Sequence, residues 1–399
     1  MTLNLKSRFP VFKKNPNLVF FDTAASALKV DTMIKATTEC YSYEYANIHR
    51  GIYALSSKLT KRYEDSRLLL SNFINAPSPQ NIIFTKSATE GINLVSSCLS
   101  ENYFNDGDEI LVSTLEHHAN LVPWHLIKKN IKIISANINS KGELDYKDLI
   151  NKINKKTKLV SLTHMSNVTG SITNFEEIKI KTKKLDIPIL VDGCQYVPHK
   201  KLDLKELDPD FYVFSAHKLY GPSGLGVLYM KDKWINELGP YQGGGSMIKN
   251  VETNFSTYLE GSHKFEAGTP PIVQVIGLSS CIDFINEVGI NNIYSYESDL
   301  TKYAYEKLKK INNIKIYGDF KNQTSIISFN IKGIHFNDLA MLLDKKNIAI
   351  RTGHHCAQPF MKYFKITGNA RMSVGIYNTK EDIDYFIKSI DEVREIIKQ

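Results

Sequence analysis

Arginine is scarce in this chain. Of its 50 basic residues only 7 are arginine, at positions 8, 50, 62, 67, 351, 371 and 394. Where lysine meets the ordinary need for positive charge, each arginine becomes a candidate for work that lysine does poorly, such as the two-pronged grip on a carboxylate. Cysteine is also sparse. The 5 residues at 40, 98, 194, 281 and 356 are scattered, odd in number and without a C-x-x-C pair. That argues against a disulfide framework or a structural zinc site, so no metal is expected, and it points to reduced thiols in the cytoplasm. No window of about 18 consecutive apolar residues occurs, so no transmembrane helix is expected. The N-terminal MTLNLKSRFPVFKKNPN lacks the apolar run of a secretory signal. The net charge of +8 is spread along the chain without a nucleic-acid-binding motif, so it reads as a lysine-rich solvated surface, with neither nucleic acid nor membrane as partner.

What is present describes a folded α/β protein. At 399 residues, 42% hydrophobic and 23% charged, the chain is ordinary for a globular protein and long enough for about two domains. Short apolar runs at 81–84, 109–114, 158–165, 187–193, 210–216 and 225–230 read as strands. The segments 87–100, 120–129 and 175–186 read as helices between them. Near-continuous apolar strands alternating with helices predict a mostly parallel sheet covered on both faces. The tail differs: strands at 324–331, 347–352 and 370–377 and a closing helix at 380–398 predict a smaller α+β domain. The expected division is 16–289 for the large domain, and 1–15 with 290–399 for the small one.

In open α/β sheets ligands bind at the C-terminal ends of the strands. There the sequence puts SATEG, LEHHAN, THMSNVTG, DGCQ and SAHKLYGP in succession. Lys218, just after a buried strand, is costly to bury, and a desolvated lysine is a good amine for a Schiff base. That hints at pyridoxal phosphate, whose ring nitrogen needs a carboxylate to stay protonated; Asp192, ending ILVDG, is placed for it. Gln195 could bond the ring's 3-hydroxyl group. Ala88 and Thr89, opening a helix, could take the phosphate with Ser215 and His217. His117 could cover the ring. Read singly, Lys218 could instead reach to water, Asp192 could cap a helix, and His117 could be a hydrogen-bonded core residue.

Taken together, FDTAASA (21–27), NIHRGIY (47–53), ATEGIN (88–93), LEHHANLVPWH (115–125), THMSNVTG (163–170), VDGCQ (191–195), FYVFSAHKLYGPSGLGVLY (211–229), GGGSMI (243–248), FEAGTP (265–270), RTGHHCAQP (351–359) and RMSVGIYNT (371–379) resemble one family nearly end to end. It is the group II (SUF-type, sulfur-mobilisation) cysteine desulfurases, in the class V aminotransferase-like branch of fold-type I pyridoxal-phosphate enzymes. The resemblance implies a fold-type I large domain with a seven-stranded sheet between helices, and a small domain carrying the active cysteine. It further implies Lys218 as the Schiff-base lysine, Asp192 at the ring nitrogen, Gln195 at the 3-hydroxyl group and His117 stacked on the ring. Ala88, Thr89, Ser215 and His217 would hold the phosphate. Thr269 would reach the neighbouring subunit's phosphate, making a homodimer. Arg371 would clamp the substrate carboxylate with Asn167, which also borders the cofactor, while Arg351 and His49 would line the entrance. One departure is Cys194, where relatives carry alanine; it is taken as a tolerated small residue. The segment before the cysteine, NIAIRTGHHC, is short, as in group II, and implies dependence on a sulfur acceptor.

Cys356 lies in RTGHHCAQPF. Adjacent His354, His355 and Cys356 cannot all turn to one ion, and no second half-site follows, which argues against a metal. A loop thiol among cationic groups is partly thiolate, as a sulfur acceptor must be. The expected reaction takes L-cysteine to L-alanine through Lys218, leaves sulfur on Cys356 as a persulfide, and passes it to a small sulfur-acceptor protein of the SUF system for iron–sulfur cluster assembly. Selenocysteine lyase is the close alternative. Another class V enzyme of the aminotransferase or kynureninase kind, or a pyridoxal-binding scaffold, is more distant.

Overall fold

The structure is a computed structural model that describes residues 5–320 and 324–398. Residues 1–4, 321–323 and 399, all assigned to the small domain above, lie outside them. Seven short runs assemble one sheet: β1 (Ile82–Thr85), β2 (Glu109–Ser113), β3 (Lys132–Ala136), β4 (Thr157–Thr163), β5 (Ile189–Asp192), β6 (Phe211–Ser215) and β7 (Gly226–Met230). Their spatial order is β1-β7-β6-β5-β4-β2-β3. Every pairing is parallel except those of β7, which runs antiparallel to both β1 and β6. Strands β1, β5, β6 and β7 are buried along their whole length. A sheet layered on both faces demands such sequences, and this is the mostly parallel α/β architecture the sequence predicts.

One element differs from its sequence expectation. The 120–129 stretch is not a helix; a 3-10 turn at His118–Asn120 and a single α-turn at Val122–His125 are its only helical parts. Pro123 is tolerated in a first turn, and Trp124 Nε1 donates to the Asn120 carbonyl at 3.0 Å. Beyond His125 the chain must turn back to start β3 beside β2. Lys129 Nζ is tied to the Phe104 carbonyl (2.6 Å) and the Asn130 N–H to Asp106 (2.7 Å), which fixes that reversal. β3 is the seventh strand; at the sheet edge it is only partly covered, so no continuous apolar run announces it.

A second sheet, β8 (Ile314–Tyr317), β9 (Ile326–Ile331), β10 (Arg351–Gly353) and β11 (Asn369–Ser373), has the order β8-β9-β11-β10 and is antiparallel throughout. It has its own core around Leu300, Phe329, Leu343, Phe386 and Ile390. Val19 and Phe21 join this core, whereas Phe9 and Phe12 pack in the larger one. The N-terminal segment therefore touches both. Its Val19–Phe20 pairs in parallel with Ile348–Ala349, and the Ser373 N–H donates to the Phe21 carbonyl at 2.8 Å.

Two helices adjoin β1: α1 (Ala54–Phe73) and α2 (Ala88–Asn102). Ser87 caps α2 by accepting the Glu90 N–H, while Glu90 turns back to accept the Lys86 N–H, one residue before the cap. Arg67 of α1 is among the most deeply buried side chains of the molecule. It meets Glu266 through two parallel bonds of 2.8 and 2.9 Å and donates to the Ile82 carbonyl at 2.7 Å. Glu266 also accepts the Phe84 N–H at 2.7 Å. The pair thus pins the 265–270 segment to β1 and α1, through the bidentate geometry that lysine cannot offer.

Removing one partner leaves the other charge buried and unpaired, so Arg67→Leu should cost about 3–5 kcal/mol of unfolding free energy in urea titrations. A loss under about 1 kcal/mol, the range of exposed pairs, would contradict this burial.

Candidate active site

A cavity of about 260 Å³ lies where β4, β5 and β6 end and the second sheet comes closest to them. Its walls include Ala88, Thr89, His117, Asn167, Asp192 and Gln195. Ser215, His217, Lys218, Arg351, Cys356 and Arg371 complete the set gathered from those expected by sequence. Thr269 and His49 are elsewhere. Thr269 is exposed and borders a separate cavity with Lys86, Glu90 and Tyr241. His49 is exposed and bonded through Nε2 to Glu64 at 2.8 Å.

One end of the cavity is built for an anion. The α2 N-terminus opens onto it, and N-terminal backbone N–H groups favour negative charge. Ser215 Oγ accepts the Ala88 N–H at 2.9 Å, which draws the end of β6 against the helix start. The approach of β7 is closer still. A Cβ on Gly226 would lie 2.2 Å from the Ser87 carbonyl carbon, so only glycine lets the strand pass there. Thr89 is exposed there. The His217 imidazole is held neutral, its pKa lowered to about 4 by burial and then by Lys218 and Lys29.

The opposite chemistry lines the middle. Asp192 ends β5 between Thr163 and Val213 of the flanking strands, and its Oδ1 accepts the Cys194 N–H at 3.0 Å. Gln195 donates Nε2 to the Ala24 carbonyl (2.7 Å), yet its Oε1 is buried with no partner among the described residues. Such a group costs free energy until a ligand supplies a donor. His117 accepts the Ala119 N–H at Nδ1 (3.0 Å), which leaves the ring proton on Nε2. Burial, and then Lys218, hold its pKa at about 4, so the ring is neutral. Lys218 ends a 3-10 turn directly after β6 with its amine at the cavity wall. An amine, a buried carboxylate, an orphaned amide oxygen, a neutral flat ring and an anion cradle in one cavity fit pyridoxal phosphate.

The far wall belongs to the second sheet. Arg371 of β11 is buried; it donates to the Asn167 carbonyl (2.8 Å) and pairs with Asp22 (3.3 Å), while its Nε has no partner among the described residues. Burial lowers its pKa to about 10, and it stays cationic at neutral pH. Arg351 is its register partner on β10. Cys356 sits three residues past that strand on a turn where His355 and Cys356 both adopt positive φ, +49° and +54°. Asn167 Nδ2 donates to the His355 carbonyl at 2.7 Å.

Several residues of this neighbourhood were not predicted from sequence. Asp22 pairs with the clamp arginine although FDTAASA gave it no role. Glu116, next to His117, is fully buried between Ser113 Oγ (2.5 Å) and Asn120 Nδ2 (2.6 Å), and burial raises its pKa to about 8. His355 is buried, and its Nε2 bonds Asn369 Oδ1 at 2.8 Å. His118 bonds the cysteine turn. The only sequence signal for the last two is the doubled histidine in EHHAN and GHHC.

Known proteins resemble this chain over nearly its whole length. The Aminotransferase class-V family model matches residues 19–386. A cysteine desulfurase of Wigglesworthia glossinidia brevipalpis is 43% identical over 99% of this chain and 98% of its own length. One from Serratia proteamaculans (strain 568) is 39% identical over 98% of each. The crystal structure of the cysteine desulfurase CsdA (S-sulfonic acid) from Escherichia coli superposes with a TM-score of 0.92 at 35% identity, covering 98% of each chain.

Two outcomes test the site's construction. Gly226→Ala should abolish retention of pyridoxal phosphate through desalting, because the added carbon displaces the start of α2; unchanged retention would contradict the cradle. Glu116 has its pKa raised from 4.5 to about 8. Between those values the unfolded chain binds fewer protons than the folded one, so stability falls as pH rises through the window and levels off above it. Urea midpoints at about pH 5 and pH 8 should differ less in Glu116→Gln; an equal difference would mean Glu116 is ionised throughout.

Proposed function

The chain belongs to the class-V aminotransferase family, among its cysteine desulfurases, and on that footing we propose how its cavity converts L-cysteine to L-alanine and holds the sulfur. Pyridoxal phosphate, when bound, supplies the electron sink that makes the α-proton of the amino acid removable and the Cβ–Sγ bond breakable. Asp192 would hold the proton on its ring nitrogen, Gln195 would bond its 3-hydroxyl group, and neutral His117 would cover its face. The α2 terminus at Ala88 and Thr89, with Ser215 and His217, would take the phosphate. Arg371 would grip the substrate carboxylate with the Nε that has no partner among the described residues, and Asn167 would fix that guanidinium and border the cofactor. Lys218 Nζ would carry the amine linkage and move the α-proton. Arg351 would screen the entrance.

Cys356 Sγ, as thiolate, attacks the substrate sulfur. The Cβ–S bond breaks as the S–S bond forms, the substrate carbon gains a proton and leaves as alanine, and Cys356 retains Cys–S–SH. Atoms balance without an added oxidant. The single observation that carries the reading is the convergence of Cys356, Arg371 and Lys218 on one cavity.

The finer assignments are part of the same proposal. Thr269 and His49 lie outside their own subunit's cavity, which supports a homodimer in which each reaches the other copy's site. The exposed aromatic run of Tyr41, Tyr43, Tyr45 and Tyr53 supports a covered face there. Cys356 is held on a turn only three residues past β10, so the acceptor must come to the thiol; a small sulfur-acceptor protein of the SUF type, serving iron–sulfur cluster assembly in the cytoplasm, fits that need. Gly289, at φ +87°, separates the helices Ile272–Val288 and Ile290–Leu308, which supports a domain boundary at 289/290.

The test measures alanine and sulfide released from L-cysteine with a reductant. Wild type should give equal amounts and Cys356→Ala neither. A mutant that still turns over selenocysteine while losing cysteine turnover would add the lyase activity. Unchanged cysteine turnover in the mutant would remove Cys356 from the mechanism.

A further inference from the structure

We propose that His118 is a positioning residue for sulfur transfer, clasping the Cys356 turn to the segment whose preceding residue, His117, faces the cavity; this rests on the desulfurase reading above. Cys356 occupies backbone that a free chain avoids. Two successive non-glycine residues with positive φ persist only where their surroundings hold them. Four bonds supply that hold. The His118 N–H donates to the Cys356 carbonyl at 2.7 Å. The Gln358 N–H donates to His118 Nε2 at 3.1 Å. The Cys356 N–H donates to His354 Nδ1 at 3.0 Å, and Asn167 holds the His355 carbonyl.

His118 bonds the turn twice, through its backbone N–H to Cys356 and through its ring to Gln358, two residues further on. Its ring also packs on His354, centroids 5.5 Å apart. Because Nε2 accepts a hydrogen bond, the ring must be neutral there, and burial with the nearby His354 lowers its pKa in the direction that keeps it so. The consequence is mechanical. One short turn after β2 carries the ring expected over the cofactor at 117 and the clasp on the thiol at 118. The reacting sulfur is thereby placed relative to the cofactor through adjacent residues. A merely structural role would rest on Gln358, which begins a short helix and whose N–H needs an acceptor; the test separates the two.

The holoenzyme is compared as wild type, His118→Leu, which removes the acceptor, and His118→Gln, whose side-chain oxygen replaces Nε2. Three readouts are taken: the cofactor absorbance change on adding L-cysteine, the first-turnover rate of persulfide formation on Cys356, and the rate of Cys356 alkylation by iodoacetamide without substrate. Misplacing a reacting atom by about 1 Å can cost up to about a hundredfold. His118→Leu should slow persulfide formation roughly tenfold or more, with KM within about twofold, and speed alkylation severalfold. His118→Gln should recover most of both. Wild-type persulfide rates in His118→Leu, or equal defects in Leu and Gln variants, would overturn the clasp; so would loss of cofactor binding as the main effect. Alanine formed by wild type without sulfur on Cys356 would instead sink the desulfurase reading, and the alkylation rates would still report whether His118 holds the turn.

Discussion

The antiparallel pairing of β10 with β11 sets the spacing between the guanidinium that faces the cavity and the thiol beyond it. Arg351 opposes Arg371 and Gly353 opposes Asn369, so the turn bearing Cys356 begins where the pairing ends. β11 is in turn fastened to the N-terminal segment, through Ser373 to the Phe21 carbonyl and through Arg371 to Asp22. Shifting that register by one residue would turn Arg371 to the other face. It would also move the cysteine turn away from Asn167 and His118. The large sheet supplies the remaining wall by the general rule for parallel strands, whose C-terminal ends collect polar loops around a shared opening.

Electrostatics in the cavity are sorted by burial. His117, His217 and His355 are all driven below the physiological range, chiefly by desolvation, to about 4, 4 and 3. Glu116 is driven up to about 8 by the same cause. These groups are therefore neutral donors, acceptors and surfaces. Arg371 keeps its charge in the same low-dielectric surroundings and is left with an unpaired Nε, and buried polar atoms without partners are costly enough that their presence signals a ligand. Arg67 shows the other use of a scarce arginine: fully paired with Glu266, it holds structure.

Much of this was legible in the chain because the chemistry sits at strand ends that apolar runs mark out. Asp192 and Ser215 end their strands, and Gln195 and Lys218 lie three residues beyond them, so locating the strand located the residue. The helical stretch from 87 likewise opens within a residue of the observed start of α2. Three things were not legible. β3 is an edge strand with a mixed face, and 120–129 carries helical apolar spacing that the reversal into β3 overrides. Asp22 and His118 act through partners 349 and 240 residues away, and sequence spacing carries no trace of such contacts. Thr269, read from sequence as belonging to a neighbouring subunit's site, lies outside this cavity, and His49, read as lining its entrance, lies outside it too.

Sulfur on Cys356 is the central claim, and mass spectrometry of its peptide tests it most directly. The protein with pyridoxal phosphate is mixed with L-cysteine without reductant, quenched after one turnover and alkylated. The account predicts one additional sulfur on Cys356, in proportion to alanine formed, and none on Cys194, whose thiol burial keeps protonated. Alanine appearing while Cys356 stays unmodified would contradict it.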